Sequence, residues 1–269
     1  FRVGIIAQPE VDSPKDITRL GEPDLFFAIS GGCVDSMVAN YTATKKRRQQ
    51  DDFTPGGLND RRPDRAVLVY SNMIRRFFKG TQKKIVISGI ESSLRRITHY
   101  DYWSNKLRKP ILFDAKADIL SYGMGEMSML ALARALRHGK DWKDIRGLSY
   151  ISREPREDYL NLPSHAECLE SKDTFTEAFH QFYFNCDPIT AKGLCQKCDD
   201  RYLIQNPPSM TYTEEEMDAI YSMEFARDVH PYYKAMGAVR ALDTIRYSVT
   251  THRGCYGECN FCAIAIHQG

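Results

Sequence analysis

The interpretation of this sequence depends on one stretch, Ile245-Arg-Tyr-Ser-Val-Thr-Thr-His-Arg-Gly-Cys-Tyr-Gly-Glu-Cys-Asn-Phe-Cys262. Its first six residues alternate between apolar and polar side chains, which predicts a β-strand over 245–250 that leads directly into the cysteines. The cysteines have the spacing C-x3-C-x2-C, which can place three thiolates around one iron–sulfur cluster. Such clusters usually have four thiolate ligands, so one iron would be left open to bind a small molecule. We therefore expect chemistry at the carboxyl end of a strand.

The predicted metal ligands are Cys255, Cys259 and Cys262. The residues around them suit a loop that wraps a cluster. Gly254 and Gly257 permit positive backbone φ angles, so successive amide groups can point toward the sulfides. Amide hydrogen bonds of this kind orient and tune metal ligands.

Further stretches of the sequence carry a family resemblance together with the cysteine motif. They are Tyr41-Thr-Ala-Thr-Lys-Lys-Arg-Arg, Thr54-Pro-Gly-Gly, Arg62-Pro-Asp-Arg, Gly89-Ile-Glu-Ser-Ser-Leu-Arg-Arg, His99-Tyr-Asp-Tyr-Trp and Arg253-Gly-Cys. The pattern C-x3-C-x-aromatic-C after a strand resembles the signature of the radical S-adenosylmethionine (SAM) enzymes. Over most of its length the sequence is similar to one branch of these enzymes, the YgiQ-like family.

The resemblance implies that Cys255, Cys259 and Cys262 bind three irons of a four-iron four-sulfur cluster. The fourth iron would chelate the amino and carboxylate groups of SAM, and Phe261 would border its adenine. The reduced cluster would cleave SAM to methionine and a 5'-deoxyadenosyl radical that abstracts hydrogen from a substrate. An electron donor is therefore an implied partner, whereas the substrate and any further catalytic residues stay unknown.

A nonenzymatic iron–sulfur or zinc-binding protein, for electron transfer or scaffolding, is the alternative function. A structural zinc site usually has four ligands, and His252 or His267 is the candidate for the fourth. Cleavage of SAM separates the two classes of protein.

Composition and charge limit the remaining possibilities. The 269 residues suffice for a hydrophobic core without disulfides, so we expect the eight cysteines to be reduced. The sequence has no apolar run long enough to span a membrane and no basic and apolar leader, which predicts a cytoplasmic protein without a membrane partner. Lys and Arg total 37 against 35 Asp and Glu, so net charge neither indicates nor excludes nucleic acid.

Short apolar runs alternate with helical patterns in the first part of the sequence, which predicts an α/β fold with a doubly wound, mostly parallel sheet. The predicted strands cover 2–7, 25–30, 66–70, 85–88, 119–122 and 148–151, and a helix is predicted over 125–137. The glycines in 122–126 precede that helix. They can form an anion site at its first turn or an ordinary turn.

We predict three parts for the chain. Residues 1–152 form the doubly wound α/β domain, and 153–240 form a helical connecting region in which capping-box patterns at Thr174 and Thr213 begin helices. Residues 241–269 form the first strand and cluster loop of a TIM-like radical SAM barrel. A full barrel takes about 250 residues, so we expect a truncated fragment that is inactive alone, with exposed cysteines that hold no cluster after aerobic preparation.

The resemblance suggests that the α/β domain is similar to the cobalamin-binding domains that precede many radical SAM barrels. Histidine-ligated cobalamin would require D-x-H-x-x-G. The partial match Asp228-Val-His-Pro-Tyr-Tyr233 has tyrosine in place of the glycine and lies outside this domain. We therefore do not predict cobalamin.

Three weaker candidate sites remain. Cys195-x2-Cys198 with Cys186 supplies part of a zinc or second cluster site, which Cys168 or His180 would complete, or consists of free thiols on a loop. The basic run 45–48 in the long loop 39–65, like the pair at 95–96, is either solvated surface or a binding site. The segment 99–103 can line a polar pocket or seal the domain surface.

Overall fold

The computed structural model of the chain describes residues 1–257, 259 and 261–268. These residues form nine strands and twelve helices. The strands are β1 (Phe26–Ser30), β2 (Lys84–Ser88), β3 (His99–Asp101), β4 (Lys106–Arg108), β5 (Ile119–Ser121), β6 (Leu148–Ser152), β7 (Leu160–Leu162), β8 (Leu194–Cys198) and β9 (Arg201–Gln205). The helices are α1 (Pro14–Ile17), α2 (Ser36–Asn40), α3 (Ala66–Phe77), α4 (Gly89–Ser93), α5 (Ile111–Ala115), α6 (Glu126–Arg137), α7 (His165–Glu170), α8 (Lys172–Tyr183), α9 (Glu214–Tyr221), α10 (Pro231–Lys234), α11 (Leu242–Ile245) and α12 (Ile264–Gln268).

Seven strands form one sheet in the order β1-β2-β5-β6-β9-β8-β7. Strands β1, β2 and β5 are parallel, whereas β6, β9 and β8 continue the sheet in antiparallel pairs. The short strand β7 pairs parallel with β8 at the far edge, and β3 and β4 form a separate antiparallel ladder. The predicted α/β class is confirmed, and the strand predicted over 148–151 is present as the antiparallel β6.

The centre of the sheet is buried on both faces, as a parallel strand between two helical layers requires. Ile85 and Ile87 of β2 pack in one cluster with residues of α3 and α5, and Val86 points to the other face, where it contacts Leu132 of α6. Alternating side chains of one strand therefore hold helices on opposite faces. This arrangement fixes where the carboxyl ends of β2 and β5 lie.

Three predicted strands are wrong. The apolar run 66–70 begins helix α3, in which Val67 and Ile74 lie on one buried face. Short apolar runs do not by themselves distinguish a strand from a buried helix. Residues 2–7 form no strand, and residues 246–250 form no regular element after α11. In neither segment does a neighbouring strand supply hydrogen bonds, so neither a short apolar run nor an alternating pattern is sufficient to form a strand.

The segment 153–240 contains strands as well as helices, because β7, β8 and β9 extend the sheet beyond residue 152. The predicted helix starts near 174 and 213 are both close to observed ones. Helix α9 has the expected capping box between Thr213 and Glu216, whereas α8 is capped by Ser171, whose hydroxyl accepts the amide of Thr174. The three-part division of the chain stays a prediction.

The helices in the described part of the chain are all too short or too polar to cross a membrane.

Candidate metal centre

The cysteine loop lies between residue 253 and helix α12. Cys255, Cys259 and Cys262 carry free, exposed thiols. The amide of Gly257 donates to Sγ of Cys255 at 3.3 Å. A Cβ atom at Gly257 would lie 3.3 Å from that sulfur and 3.8 Å from Sγ of Cys259, so two of the three sulfurs converge on this glycine. The amide of Cys262 donates to the carbonyl of Cys259 at 2.8 Å, which turns the chain back toward them.

The donor set of this loop fits an iron–sulfur cluster, because three thiolates and an inward-facing amide are the groups that such clusters use. The φ angle of +76° at Gly254 confirms the positive φ expected there. Among the described residues, however, no three Cys, His, Asp or Glu side chains are already grouped to hold a metal ion. Binding of a cluster would therefore require the three thiols to move closer together.

Phe261 lies at the tip of this loop and is 93% exposed. Tyr256 is also fully exposed. Both aromatic rings are therefore accessible to a ligand above the cysteines. The assignment of Phe261 to the adenine of SAM stays a prediction.

An ion pair ties the loop to the carboxyl edge of the sheet. Arg253 donates to Glu126 at 2.5 Å, and Glu126 is the first residue of α6, just after β5. The guanidinium of Arg253 also lies 5.6 Å from the ring centroid of Tyr212, whose hydroxyl donates to Oε2 of Glu126 at 2.9 Å. Burial raises the pKa of Glu126, but the hydrogen bonds from Arg253, from the Glu126 backbone amide and from Tyr212, together with the positive charge of Arg253, outweigh it and keep the pKa below its usual value.

The turn 122–126 therefore serves to position the loop. The start of α6 carries the carboxylate of Glu126, which favours the ordinary-turn alternative over an anion site at this helix end. Gly123 has a φ angle of +70°, and a Cβ atom there would lie 3.3 Å from the carbonyl oxygen of His267. A larger residue at position 123 would press on helix α12.

Helix α12 anchors the other end of the loop. It packs against α4, which follows β2, and its residue Ile266 contacts the main hydrophobic core. The side chain of Gln268 accepts the amide of Gly254 at 3.1 Å, which closes the loop between its two ends. Both flanks of the cysteine loop thus lie at the carboxyl ends of parallel strands, where ligands bind in open α/β sheets.

The two histidines considered as a fourth zinc ligand differ in environment. His252 is exposed and shares a hydrogen bond of 2.8 Å with the hydroxyl of Thr251. His267 is partly buried, and its Nδ1 has no hydrogen-bond partner among the described residues. Burial and, to a smaller extent, Arg96 lower the pKa of His267, which favours the neutral ring that binds metal. Within the described residues neither histidine is grouped with the cysteines.

The family comparisons agree with the sequence motif. Residues 1–248 match the family model described as Radical SAM N-terminal. The chain belongs to the radical SAM N-terminal family. The resemblance to radical SAM proteins is thus confirmed, although the three cysteines lie just beyond the matched residues.

Curated relatives of this family member include several UPF0313 proteins. One from Fusobacterium nucleatum is 86% identical over 269 residues, which are 100% of this chain and 47% of the relative. One from Thermotoga maritima is 48% identical over 271 residues with the same shares, and one from Clostridium botulinum is 46% identical over 274 residues, 100% of this chain and 43% of the relative. The chain spans about half the length of the curated relatives it matches.

A solved structure also matches this member of the radical SAM N-terminal family. It is the radical SAM methyltransferase TsrM from Kitasatospora setae with tryptophan substrate and a SAM analogue bound, at 16% identity over 48% of this chain and 18% of TsrM. The TM-score is 0.30. This value is too low to support an argument about fold or function, so the truncated barrel stays a prediction.

In this family member Arg96 is neither solvated surface nor an open binding site, the two alternatives that its sequence left. Its side chain is 1% exposed, and the guanidinium lies between the rings of Tyr122 and Phe182, 4.5 and 4.4 Å from their centroids. Nε donates to Gln205 at 3.0 Å, and Nη1 donates to the carbonyl of Ser93 at 2.6 Å. Arg96 therefore joins both halves of the sheet below the cysteine loop. In the sequence, two adjacent arginines give no indication that one of them is buried.

The predicted second metal site does not form among the described residues. Cys195 and Cys198 lie on β8, not on a loop, and a separation of three residues on a strand directs their side chains to opposite faces. Burial raises the pKa of Cys198 to about 11, so its thiol stays protonated at neutral pH. Cys186 instead lies 3.5 Å from Nη2 of Arg96.

The segment 99–103 seals the surface against the long loop 39–65. Lys45 donates to the carbonyl of Tyr102 at 2.9 Å, and the Tyr102 hydroxyl donates to the carbonyl of Ala43 at 2.8 Å. The rings of Tyr41 and Trp103 are 5.3 Å apart between centroids. These contacts favour the sealing alternative over a polar pocket.

Proposed function

We propose that this chain supplies the α/β region and the cluster loop of a radical SAM enzyme. Cys255, Cys259 and Cys262 hold a four-iron four-sulfur cluster, and Phe261 borders the adenine of SAM. The observation that carries this proposal is the position of the C-x3-C-x2-C loop, which is held at the carboxyl edge of the sheet in a member of the radical SAM N-terminal family.

A bound cluster of this kind supplies one electron to the sulfonium of SAM, which yields methionine and a 5'-deoxyadenosyl radical. The chain's own residues hold and position the reactants. Three thiolates leave one iron without a protein ligand, and the amide of Gly257 stabilises negative charge on the sulfur of Cys255. Arg253 fixes the loop on the sheet through Glu126, so the three cysteines would hold a cluster near the edge at which α/β sheets bind ligands.

The proposal includes a substrate that approaches along this edge and an electron donor that reduces the cluster. All eight cysteines are free, which suits a reducing compartment and therefore a cytoplasmic location. We extend the enzymatic activity only to the whole protein, because the chain spans about half of its relatives.

Anaerobic reconstitution tests the proposal. This chain and the whole Fusobacterium nucleatum relative are treated with iron and sulfide, and iron is counted in both. The relative is then given SAM and dithionite, and 5'-deoxyadenosine is quantified. We expect about four irons for each polypeptide and 5'-deoxyadenosine from the reconstituted relative.

The matched controls are two cysteine variants. Substitution of Cys255, Cys259 and Cys262 by alanine should abolish iron binding and SAM cleavage, whereas Cys33→Ala, at an exposed cysteine after β1, should leave both unchanged. Iron uptake by the triple variant would contradict the proposal. Zinc in place of iron, or an intact cluster that cleaves no SAM under any reducing condition, would favour the nonenzymatic alternative.

A further inference from the structure

A groove of about 1440 Å³ runs along the outer edge of strand β1. One wall is the free edge of β1, which is the first strand of the sheet and pairs only with β2. The opposite wall is the segment 1–9, including Gly4 and Ile6. Helix α3 contributes Ile74 to one side of the groove, and helix α6 contributes Met129 to the other. The groove therefore lies in the plane of the sheet and between its two helical layers.

The edge of β1 lacks the features that protect edge strands. Its residues Phe26-Phe-Ala-Ile-Ser30 include no charged side chain and no proline. Ala28 and Ser30 are exposed, whereas three consecutive residues of the adjacent β2 are fully buried. Parallel strands of α/β sheets are normally covered on both faces. An apolar, unprotected strand edge of this kind is a template for pairing with a further strand.

The segment 1–9 shows the complementary feature. Its short apolar run predicts a strand over 2–7, but the segment forms none, and Val3 and Ile5 are 80% and 77% exposed. Two hydrogen bonds attach the end of the segment to the rest of the chain. The amide of Ala7 donates to the hydroxyl of Tyr233 at 2.7 Å, and the side chain of Gln8 donates to the hydroxyl of Thr54 at 2.8 Å. Both the segment and β1 line the groove, so one strand inserted there would contact both.

We propose that this groove is the docking site of one β-strand from the part of the longer polypeptide that lies outside these 269 residues. The inserted strand pairs with β1 on one side and with residues 2–7 on the other, which then become a strand as their sequence predicts. Relatives about twice as long as this chain contain the additional residues from which such a strand can come. The apolar middle of the groove, with Phe27, Ile29 and Ala133, fits the side chains of a buried strand.

Amide hydrogen exchange compares this chain with the whole Fusobacterium nucleatum relative. We expect the amides of residues 2–6 and those on the outer edge of β1 to exchange rapidly in this chain. In the relative they should exchange more slowly by about 100-fold or more, because a paired strand opens only with its sheet. The amides of β2 are the internal control, since they are paired in both proteins.

Several outcomes would overturn the proposal. Equally fast exchange of these amides in both proteins would show that no strand enters the groove. Slow exchange in this chain that depends on its concentration would identify a second copy as the occupant. If the slow amide exchange of the relative became fast after extensive dialysis, the occupant of the groove would be a small molecule.

A substitution provides a second readout. Ala28→Asp places a carboxylate on the exposed side of β1, so it should change the melting temperature of this chain little. The corresponding substitution in the whole relative should lower the melting temperature of that protein by several degrees. Ala43→Asp, at an exposed loop position, is the matched control and should have a small effect in both proteins. A similar effect of Ala28→Asp in both proteins would contradict the docked strand.

Discussion

Strand β2 and its neighbours bury side chains on both faces of the sheet. By contrast, among the residues that the structure describes after Pro208, Ala241 is the single buried residue. The sheet is thus held together by extensive apolar packing, whereas the segment 209–268 is held on it by polar contacts and a small apolar contribution, chiefly that of Ile266. Regions with few buried contacts open locally at low cost. The stability of the fold and the geometry of the proposed metal site should therefore respond to different substitutions.

Two glutamates at the carboxyl edge show the same contrast. Glu91 follows β2, is 2% exposed, and accepts the amides of Ser36 and Val67 at 3.0 and 3.1 Å, which holds the first turns of α2 and α3. Glu126 follows β5, is partly exposed, and pairs with Arg253 of the cysteine segment. The buried carboxylate organises the fold, and the exposed one positions the loop.

The largest expected effect is that of Glu91→Gln. The glutamine side chain retains the size of the carboxylate but has one acceptor oxygen, so one of the two helix amides is left without its partner. The hydrogen bond that remains loses the negative charge that strengthens it. We expect a decrease of about 3 to 5 kcal/mol in the free energy of unfolding, measured by urea denaturation. Glu126→Gln is the matched control and should cost less than about 1 kcal/mol. Equal losses of unfolding free energy in the two variants would contradict the contrast between the buried and the exposed glutamate.

A pH effect of intermediate size should come from His99 in β3. Burial lowers the pKa of His99 to about 4, whereas the unfolded chain protonates this residue near pH 6.5. Between these values the unfolded state binds more protons, so the contribution of His99 to stability is complete above pH 6.5 and is lost as the pH falls toward 4. The expected difference is about 3 kcal/mol.

Urea unfolding at a series of pH values measures this effect. Wild type should lose stability relative to His99→Gln over that range. His252→Gln, in the exposed cysteine segment, controls for the removal of a histidine as such. Parallel pH profiles of wild type and His99→Gln would show that the ring is not buried in the folded protein.

The smallest effect concerns the contact between the two regions. Arg253→Gln removes the ion pair with Glu126 but leaves the sheet intact, and partly exposed pairs contribute about 0.2 to 1 kcal/mol. We expect amide exchange of residues 251–257 to become up to about fivefold faster, with no measurable change in global unfolding. Lys140→Gln, at an exposed site, is the control. A large loss of global stability would show that the segment is part of the folding core.

The sequence predicted those parts of the fold in which local pattern and tertiary environment agree. The strands at 25–30, 85–88, 119–122 and 148–151 and the helix at 125–137 are all present. The run 66–70 became a helix because its apolar residues continue at helical spacing to Ile74. Residues 2–7 form a short apolar run and residues 245–250 alternate as strands do, but a strand needs a neighbour that neither pattern supplies.

The candidate site was predicted from its chemistry and not from its surroundings. The spacing of Cys255, Cys259 and Cys262 identifies the ligands. The anchor between Arg253 and Glu126 joins residues 127 positions apart, and only the topology of the sheet brings them together. The burial of Arg96 between aromatic rings likewise depends on four separate elements. The same limit applies to Cys195 and Cys198: their spacing left a partial metal site and free thiols on a loop as alternatives, and the structure places them as free thiols on strand β8.

The most direct test of the proposed cluster is Mössbauer spectroscopy of the chain reconstituted anaerobically with iron-57, before and after addition of SAM. Three thiolate ligands leave one iron distinct from the other three. The account predicts that one of the four irons changes its signal when SAM binds and that the change is absent without the three cysteines. Four equivalent irons that do not respond to SAM would contradict it.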